Sequence, residues 1–343
     1  MRSDPSSTTT STKDIRTGTD GFTLTISIVI CSKDRRQDLE HVIQTVRRSG
    51  IVGAEAEIVV VEETDRPEPI RGVHYVALPR QGRGFGYARN RALGAATGSI
   101  LMFIDDDCEA EQGWGEALLA PFQQDSEVLG VAGAVAVHDC GLIGYAENIL
   151  GFPGGGLRYA HDAQGHTVPT RHLSTCNCAY RKDALQRVGG FPEEARAGSE
   201  DALIAERVAQ LGPCRYTPHA VVYHRTRDRL SAVARWFVRR GYSEMASLQH
   251  RLGKSPFLTY VIRSSWTLRV GMVLFLAVWL PSVYALLPIA VGFYYLVMLW
   301  RYRFARAYPT HRAAWWVVPF VKLTMDFGNE VGRWKYALAR PAI

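Results

Sequence analysis

Ile100-Leu101-Met102-Phe103-Ile104-Asp105-Asp106-Asp107 is an apolar run that stops abruptly at three carboxylates. Such a run fits a strand buried on both faces. In open α/β sheets ligands collect beyond the carboxyl ends of strands, where these acids would emerge. Along an extended backbone Asp105 and Asp107 turn to one side and Asp106 to the other. A hard divalent cation, Mg²⁺ or Mn²⁺, takes oxygen ligands of this kind and offsets the charge of a diphosphate. Without one, clustered carboxylates resist ionising together. The plainer alternative is a solvated acidic turn that caps the following helix.

Outward from that strand the chain alternates. Leu24–Cys31 reads as a first strand, Leu39–Arg48 as a helix, and Glu57–Val61 as a second strand that leaves through Glu62-Glu63-Thr64-Asp65. Val73–Leu78 comes next, then a Gly-rich turn at Gly82–Gly86 and a helix over Tyr87–Ala96. Short strands near Val131–Val137 and Ala220–His224 complete the pattern. Alternation of this kind predicts an α/β fold around a mostly parallel sheet with right-handed crossovers. The Gly82–Gly86 turn lacks G-x-G-x-x-G spacing, so its glycines read as turn formers rather than a dinucleotide fingerprint.

Four separated segments need one explanation: Cys31-Ser32-Lys33-Asp34-Arg35, Glu62-Glu63-Thr64-Asp65, Ala88-Arg89-Asn90 ahead of Asp105-Asp106-Asp107, and Gly198-Ser199-Glu200-Asp201 followed by His224. From Thr25 to His224 they resemble the inverting glycosyltransferases of family 2, whose fold is the GT-A nucleotide-sugar-binding sandwich. The resemblance implies that Asp105 and Asp107, with His224, hold Mg²⁺ or Mn²⁺. It implies that Ser32, Asp34, Arg35, Glu62, Glu63, Arg89, Asp105, Asp106 and Asn177 form the nucleotide-sugar site. Glu200-Asp201 matches the family's acidic pair, which makes Asp201 the expected catalytic base, with Glu200 beside it. Two departures stand out. The family usually carries Asp-Asp where this chain has Glu62-Glu63, and Asn-Arg where it has Asp34-Arg35. The plain reading of the last acidic segment is a helix start capped by Ser199.

The chemistry calls for these groups independently. A sugar hydroxyl is a poor nucleophile at neutral pH, so a carboxylate must take its proton as the new bond forms. A metal on the departing nucleoside diphosphate stabilises the charge that develops there. A base opposite the leaving group gives one in-line displacement with inversion.

The chain has 343 residues, 47% of them hydrophobic, which is ample for a sizeable core. Ser- and Thr-rich residues 1–22 read as a disordered tail, 23–228 as the GT-A catalytic domain, and 229–256 as an amphipathic helix on a membrane surface. In that last segment Leu230, Val233, Phe237, Gly241, Met245 and Leu248 recur at helical spacing; packing on the catalytic core is the alternative. Val270–Trp300 holds no charge across 31 positions, so 257–302 reads as a transmembrane hairpin or re-entrant segment. A long buried helix broken by prolines would be the soluble version. Residues 303–343 read as a second interfacial segment, with Trp-rich Trp315–Leu323. From Arg225 to Arg306 thirteen Lys or Arg face two acids, on both sides of the apolar stretch. That places both ends, and the catalytic domain, on the cytoplasmic face of the inner membrane. No base-reading motif accompanies the charge, so no nucleic acid partner is expected. The six cysteines are scattered and read as free thiols.

These features lead to transfer from a nucleoside-diphosphate sugar to a lipid-linked or glycan acceptor. Arg235-Trp236 matches the end of the Gln-x-x-Arg-Trp segment of processive synthases, but Ala232 replaces its glutamine, which favours transfer of one or a few sugars. The competing readings are a catalytically silent membrane adaptor on the same fold and a sugar nucleotidyltransferase.

Overall fold

The computed structural model describes residues 24–51, 56–194, 198–252, 262–265, 268–269, 271–272, 275 and 282–339. Its centre is β4 (Ile100–Asp105), flanked by β1 (Ile26–Lys33) and β8 (Asn177–Arg181). β2 (Ala56–Glu63) and β3 (His74–Leu78) extend one side. β6 (Gly130–Ala136), β9 (Cys214–His224) and β5 (Cys108–Ala110) extend the other, with the two-residue β7 (Val168–Pro169) paired to β9.

β1, β2, β3 and β4 are mutually parallel, so their carboxyl ends share one edge. Register sets Cys31 beside Asp105 and pairs Ser32 with Glu62 and Lys33 with Glu63, which delivers the predicted site segments to that edge. β8 runs antiparallel to both β4 and β6, and β5 antiparallel to β9. The sheet is therefore mixed rather than mostly parallel. β8 escapes a sequence reading because its five residues begin with Asn and end with Arg.

Helices cover both faces, which is why the central strands are apolar throughout. On one face Ile28, Ile30, Ile58, Val60, Met102 and Ile104 pack against α1 (Arg36–Arg48) and α3 (Trp114–Gln124). The alternate residues Val29, Val59, Val61, Leu101 and Phe103 meet α2 (Phe85–Ala95) and α7 (Glu200–Leu211) on the other. α4 (Leu142–Ile149), α5 (Gly156–Ala163) and α6 (Lys182–Arg187) complete this part.

Beyond β9 lie α8 (Leu230–Leu252), α9 (Ser282–Arg301), 3-10 turns at Arg303–Ala307 and Ala314–Val317, and α10 (Val318–Leu338). Most of the stripe expected at a membrane surface is covered, although Leu230 at its start stays exposed: Val233 and Phe237 pack with Val318, Val321 and Met325 of α10 and with Ala146 and Ile149 of α4. Met245 meets Tyr336. Small residues permit this approach, since a Cβ on Gly241 would run into the Asn329 carbonyl and one on Gly332 into that of Val238.

A different apolar surface faces outward. On α9, Ile289, Phe293, Leu296 and Trp300 expose between 66% and 69% of their surface, and Trp316 in the second 3-10 turn with Phe320, Leu323 and Phe327 on α10 continues the plate. The Tyr295 hydroxyl donates to the Trp316 carbonyl at 2.9 Å and the Tyr294 hydroxyl to that of Pro319 at 3.2 Å, which joins the two stripes. Among the described residues no helix is long and apolar enough to cross a membrane. Much of the expected insertion at 257–302 lies outside the described residues.

Gly241→Ala should lower the thermal unfolding midpoint, corresponding to about 1–3 kcal/mol, by forcing α8 from α10. Gly94→Ala, where a Cβ meets nothing within 4 Å, should leave it level or raise it. Equal midpoints for the two variants would contradict the packing.

Candidate active site

The site is built around Arg89. It extends from α2 with 5% of its surface exposed, bonds Glu200 at the start of α7, and lies 3.6 Å from Asp105 at the end of β4. Burial opposes its charge, but Glu200 and Asp105 more than compensate and hold it firmly protonated. Two acidic segments about a hundred residues apart in sequence thus meet at one cation.

The carboxylate turn divides its labour. Asp106 is buried and accepts bonds from Ser32 Oγ at 2.8 Å and Arg35 at 3.1 Å. Ser32 and Asp106, both expected to bind nucleotide sugar, therefore fasten β1 to the turn. Asp107 accepts from the same Arg35 nitrogen at 3.0 Å, and its other oxygen lies 3.3 Å from His224 Nε2. Withheld water pushes the Asp105 carboxyl up to about 6, with Asp107 and Asp106 adding to the rise and Arg89 and His224 opposing it.

His224 shows what this corner is suited to hold. Its Nδ1 lies 2.6 Å from the Arg225 carbonyl, which can only accept, so Nδ1 carries the proton. In the neutral ring a lone pair on Nε2 then faces a carboxylate oxygen of Asp107, an arrangement that a cation between them would satisfy. Asp107, Cys108 and His224 offer ligand atoms within 4.8 Å of one another. Cys108 is a poor third ligand: burial pushes its thiol well up, its Sγ donates to the Cys176 carbonyl at 3.7 Å, and a hard ion prefers oxygen. Asp105, the other ligand expected from the sequence, does not join that group, although its charge interacts with that of His224.

Asp201 pairs with no basic side chain among the described residues. Ser174 Oγ donates to its Oδ2 at 3.2 Å, and the Ala202 amide to its Oδ1 at 2.8 Å. Glu200, in contrast, is buried on Arg89. Burial first, and then the charges of Asp105, Asp201 and Asp107, push up the Cys176 thiol, so the three carboxylates lie within electrostatic reach of one buried residue. Ser199 does not cap α7; its hydroxyl lies 3.0 Å from that of Ser243 on α8.

Other expected residues sit at the rim or in the core. Glu62 accepts from Tyr75 at 2.6 Å and Arg36 at 3.3 Å, and Glu63 from Lys33 at 2.8 Å and the Gly82 amide at 3.1 Å. Asp34 pairs with Arg80 at 2.5 Å. Asn177 corrects its expected role: fully buried, it accepts from Trp114 Nε1 at 2.8 Å and donates to the Ala134 and Ala220 carbonyls at 2.7 and 2.8 Å. Its carboxamide staples β6, β8 and β9, and at 1% exposure it is out of reach of a sugar. Ser174 was missed, because a serine 27 positions from its acid carries no local signal.

Residues 27–189 match the family described as glycosyl transferase family 2. The protein is a glycosyltransferase. It is 24% identical over 264 residues to the glucosyl-dolichyl phosphate glucuronosyltransferase of Haloferax volcanii, covering 70% of this chain and 74% of that one. It is 28% identical over 167 residues to the pre-mycofactocin glycosyltransferase of Mycobacterium tuberculosis, a match spanning 47% of this glycosyltransferase and 33% of the relative. Its fold follows that of a mannosyltransferase from Pyrobaculum calidifontis solved with GDP-Man and Mn²⁺, with a TM-score of 0.54 at 16% identity over 93% of this chain and 88% of that one.

The raised Asp105 carboxyl has a defined effect on stability. Between its unfolded value near 3.8 and about 6 the native state binds more protons than the unfolded chain. Stability of the metal-free protein from this group is therefore present below that window and lost as pH rises through it. Asp105→Asn should flatten this part of a melting-temperature profile. An identical slope in the variant would show that Asp105 titrates as it does in water.

Proposed function

We propose that the enzyme moves a sugar, with inversion, from a nucleoside-diphosphate donor to a lipid-linked acceptor at the cytoplasmic face of a membrane. The observation that carries this reading is the Arg89 bridge, which joins Asp105 to the start of α7, where Asp201 follows Glu200. Asp201 takes the acceptor hydroxyl proton as the glycosidic bond forms, while the Ser174 hydrogen bond orients its carboxylate. Arg89 and Glu200 fix the spacing between the base and the leaving-group side. Mg²⁺ or Mn²⁺, held by Asp105, Asp107 and His224, would supply a Lewis acid to the departing diphosphate. The GDP-Man and Mn²⁺ of the Pyrobaculum calidifontis neighbour support the donor class and the metal.

The name of the Haloferax volcanii relative supports an acceptor on a phosphate-linked polyprenol. The outward plate of Phe293, Trp300, Trp316 and Phe320, with Arg301, Arg303 and Lys322 near it in sequence, supports a membrane seat. A contiguous apolar surface with aromatic residues suits the headgroup boundary, where basic side chains meet anionic lipid.

Asp201→Asn should reduce sugar transfer about 10²–10⁴-fold with an unchanged melting temperature. The assay couples that variant to a screen of UDP-, GDP- and dTDP-sugars with Mn²⁺ for thermal protection of the wild type. Undiminished turnover would move the base elsewhere. Replacing Trp316, Phe320 and Phe327 together with Gln should abolish co-flotation with anionic vesicles, and retained flotation would remove the plate from the membrane.

A further inference from the structure

The wall on the Asp201 side is cationic and aromatic. The loop between α4 and α5 carries Phe152, and a Cβ on its Gly154 would sit 3.1 Å from Cys176 Sγ. Cys176 donates to Ser174 at 3.4 Å, and Ser174 in turn holds Asp201. This loop is therefore a neighbour of the candidate base. The Arg240 guanidinium lies 5.0 Å from the Phe152 ring and 5.6 Å from that of Trp236. One turn further along α8, Ser243 donates to the Gly198 carbonyl at 2.6 Å, which pins this part of α8 to the loop leading into Asp201.

A second guanidinium approaches from α5. Arg158 lies 5.6 Å from the Tyr159 ring, which meets the His172 ring edge-on at 5.7 Å. Burial pushes His172 below the usual imidazole range; Asp201 opposes that shift, and Arg240 and Arg158 add to it. Both arginines thus act on an imidazole that also feels the base.

What distinguishes this pair is the lack of a counter-charge. Among the described residues neither Arg158 nor Arg240 has a carboxylate in ion-pair range. The other arginines around the cavity do: Arg35 has Asp106 and Asp107, Arg89 has Glu200, and Arg225 has Asp38. Arg227, 4.3 Å from the opposing Trp236 ring, is neutralised by Glu147 at 2.8 Å. Aromatic faces hold planar guanidinium forks ready for a phosphate while leaving their N–H groups unpaired.

We propose that Arg158 and Arg240 form the subsite for a phosphate carried by the acceptor, on the base side of the cavity and apart from the donor diphosphate. This rests on the glycosyl-transfer reading and deepens it. A lipid headgroup and a soluble phosphate ester would present the same group.

Full-length protein in detergent micelles is titrated calorimetrically with farnesyl phosphate, farnesol and inorganic phosphate. Farnesyl phosphate should bind and farnesol should not. Arg158→Gln and Arg240→Gln should each weaken farnesyl phosphate about tenfold, and Arg240→Lys, which keeps charge without the fork, by less. Displacement by inorganic phosphate would identify a soluble phosphate ester as sufficient, and its failure would identify a lipid phosphate. Wild-type affinity in both Gln variants, or equal binding of farnesol, would overturn the subsite. Wild-type protection by nucleoside diphosphate with Mn²⁺ is measured in parallel. Its absence would sink the glycosyl-transfer reading while phosphate binding stood.

Discussion

A guanidinium cannot be taken out of water unless carboxylates surround it, since an unpaired buried charge is penalised by several kcal/mol. Arg89 imposes that constraint on the whole catalytic half. It extends from α2 and needs Glu200 from α7 and Asp105 from β4. Those elements must therefore dock in one arrangement for the cation to be tolerated, and that arrangement opens the cavity. Glu200 is consumed in the process, while its neighbour Asp201 pairs with no basic side chain among the described residues.

Central strands were legible in the sequence because burial on both faces leaves an unbroken apolar run; Ile100–Asp105 is bounded as its pattern implies. The acids at its end could be found for the same reason, since nothing apolar follows to hide them. Partners across the sheet were not legible. Asn177 looks like a ligand-binding residue because a buried carboxamide and a ligand-facing one share the same letter, and only its three core hydrogen bonds tell them apart. Asp106 and Asp107 are adjacent in sequence, yet one is tied to Ser32 and the other faces His224.

The carboxyl-terminal helices show the same limit. Periodicity in α8 reveals an apolar stripe without revealing what covers it. Gly241, Gly328 and Gly332 were the available signal, as glycine within a helix often marks close approach of another backbone. Once α10 occupies that stripe, the outward surface shifts to Phe293, Trp300, Trp316 and Phe320, which alternate with residues that hold α9 and α10 together.

The tight seat of α8 on α10 has a geometric corollary. Ser243 grips the backbone just before Asp201, while the opposite helix presents its aromatic plate outward. Those contacts tie the placement of Asp201 to the packing of α8 on α10. On the proposed reading, with Asp201 as base and the plate on a membrane, substrate choice becomes partly a matter of length: a hydroxyl displaced from its anchor by too short or too long a spacer cannot come level with the carboxylate, whatever its chemical identity.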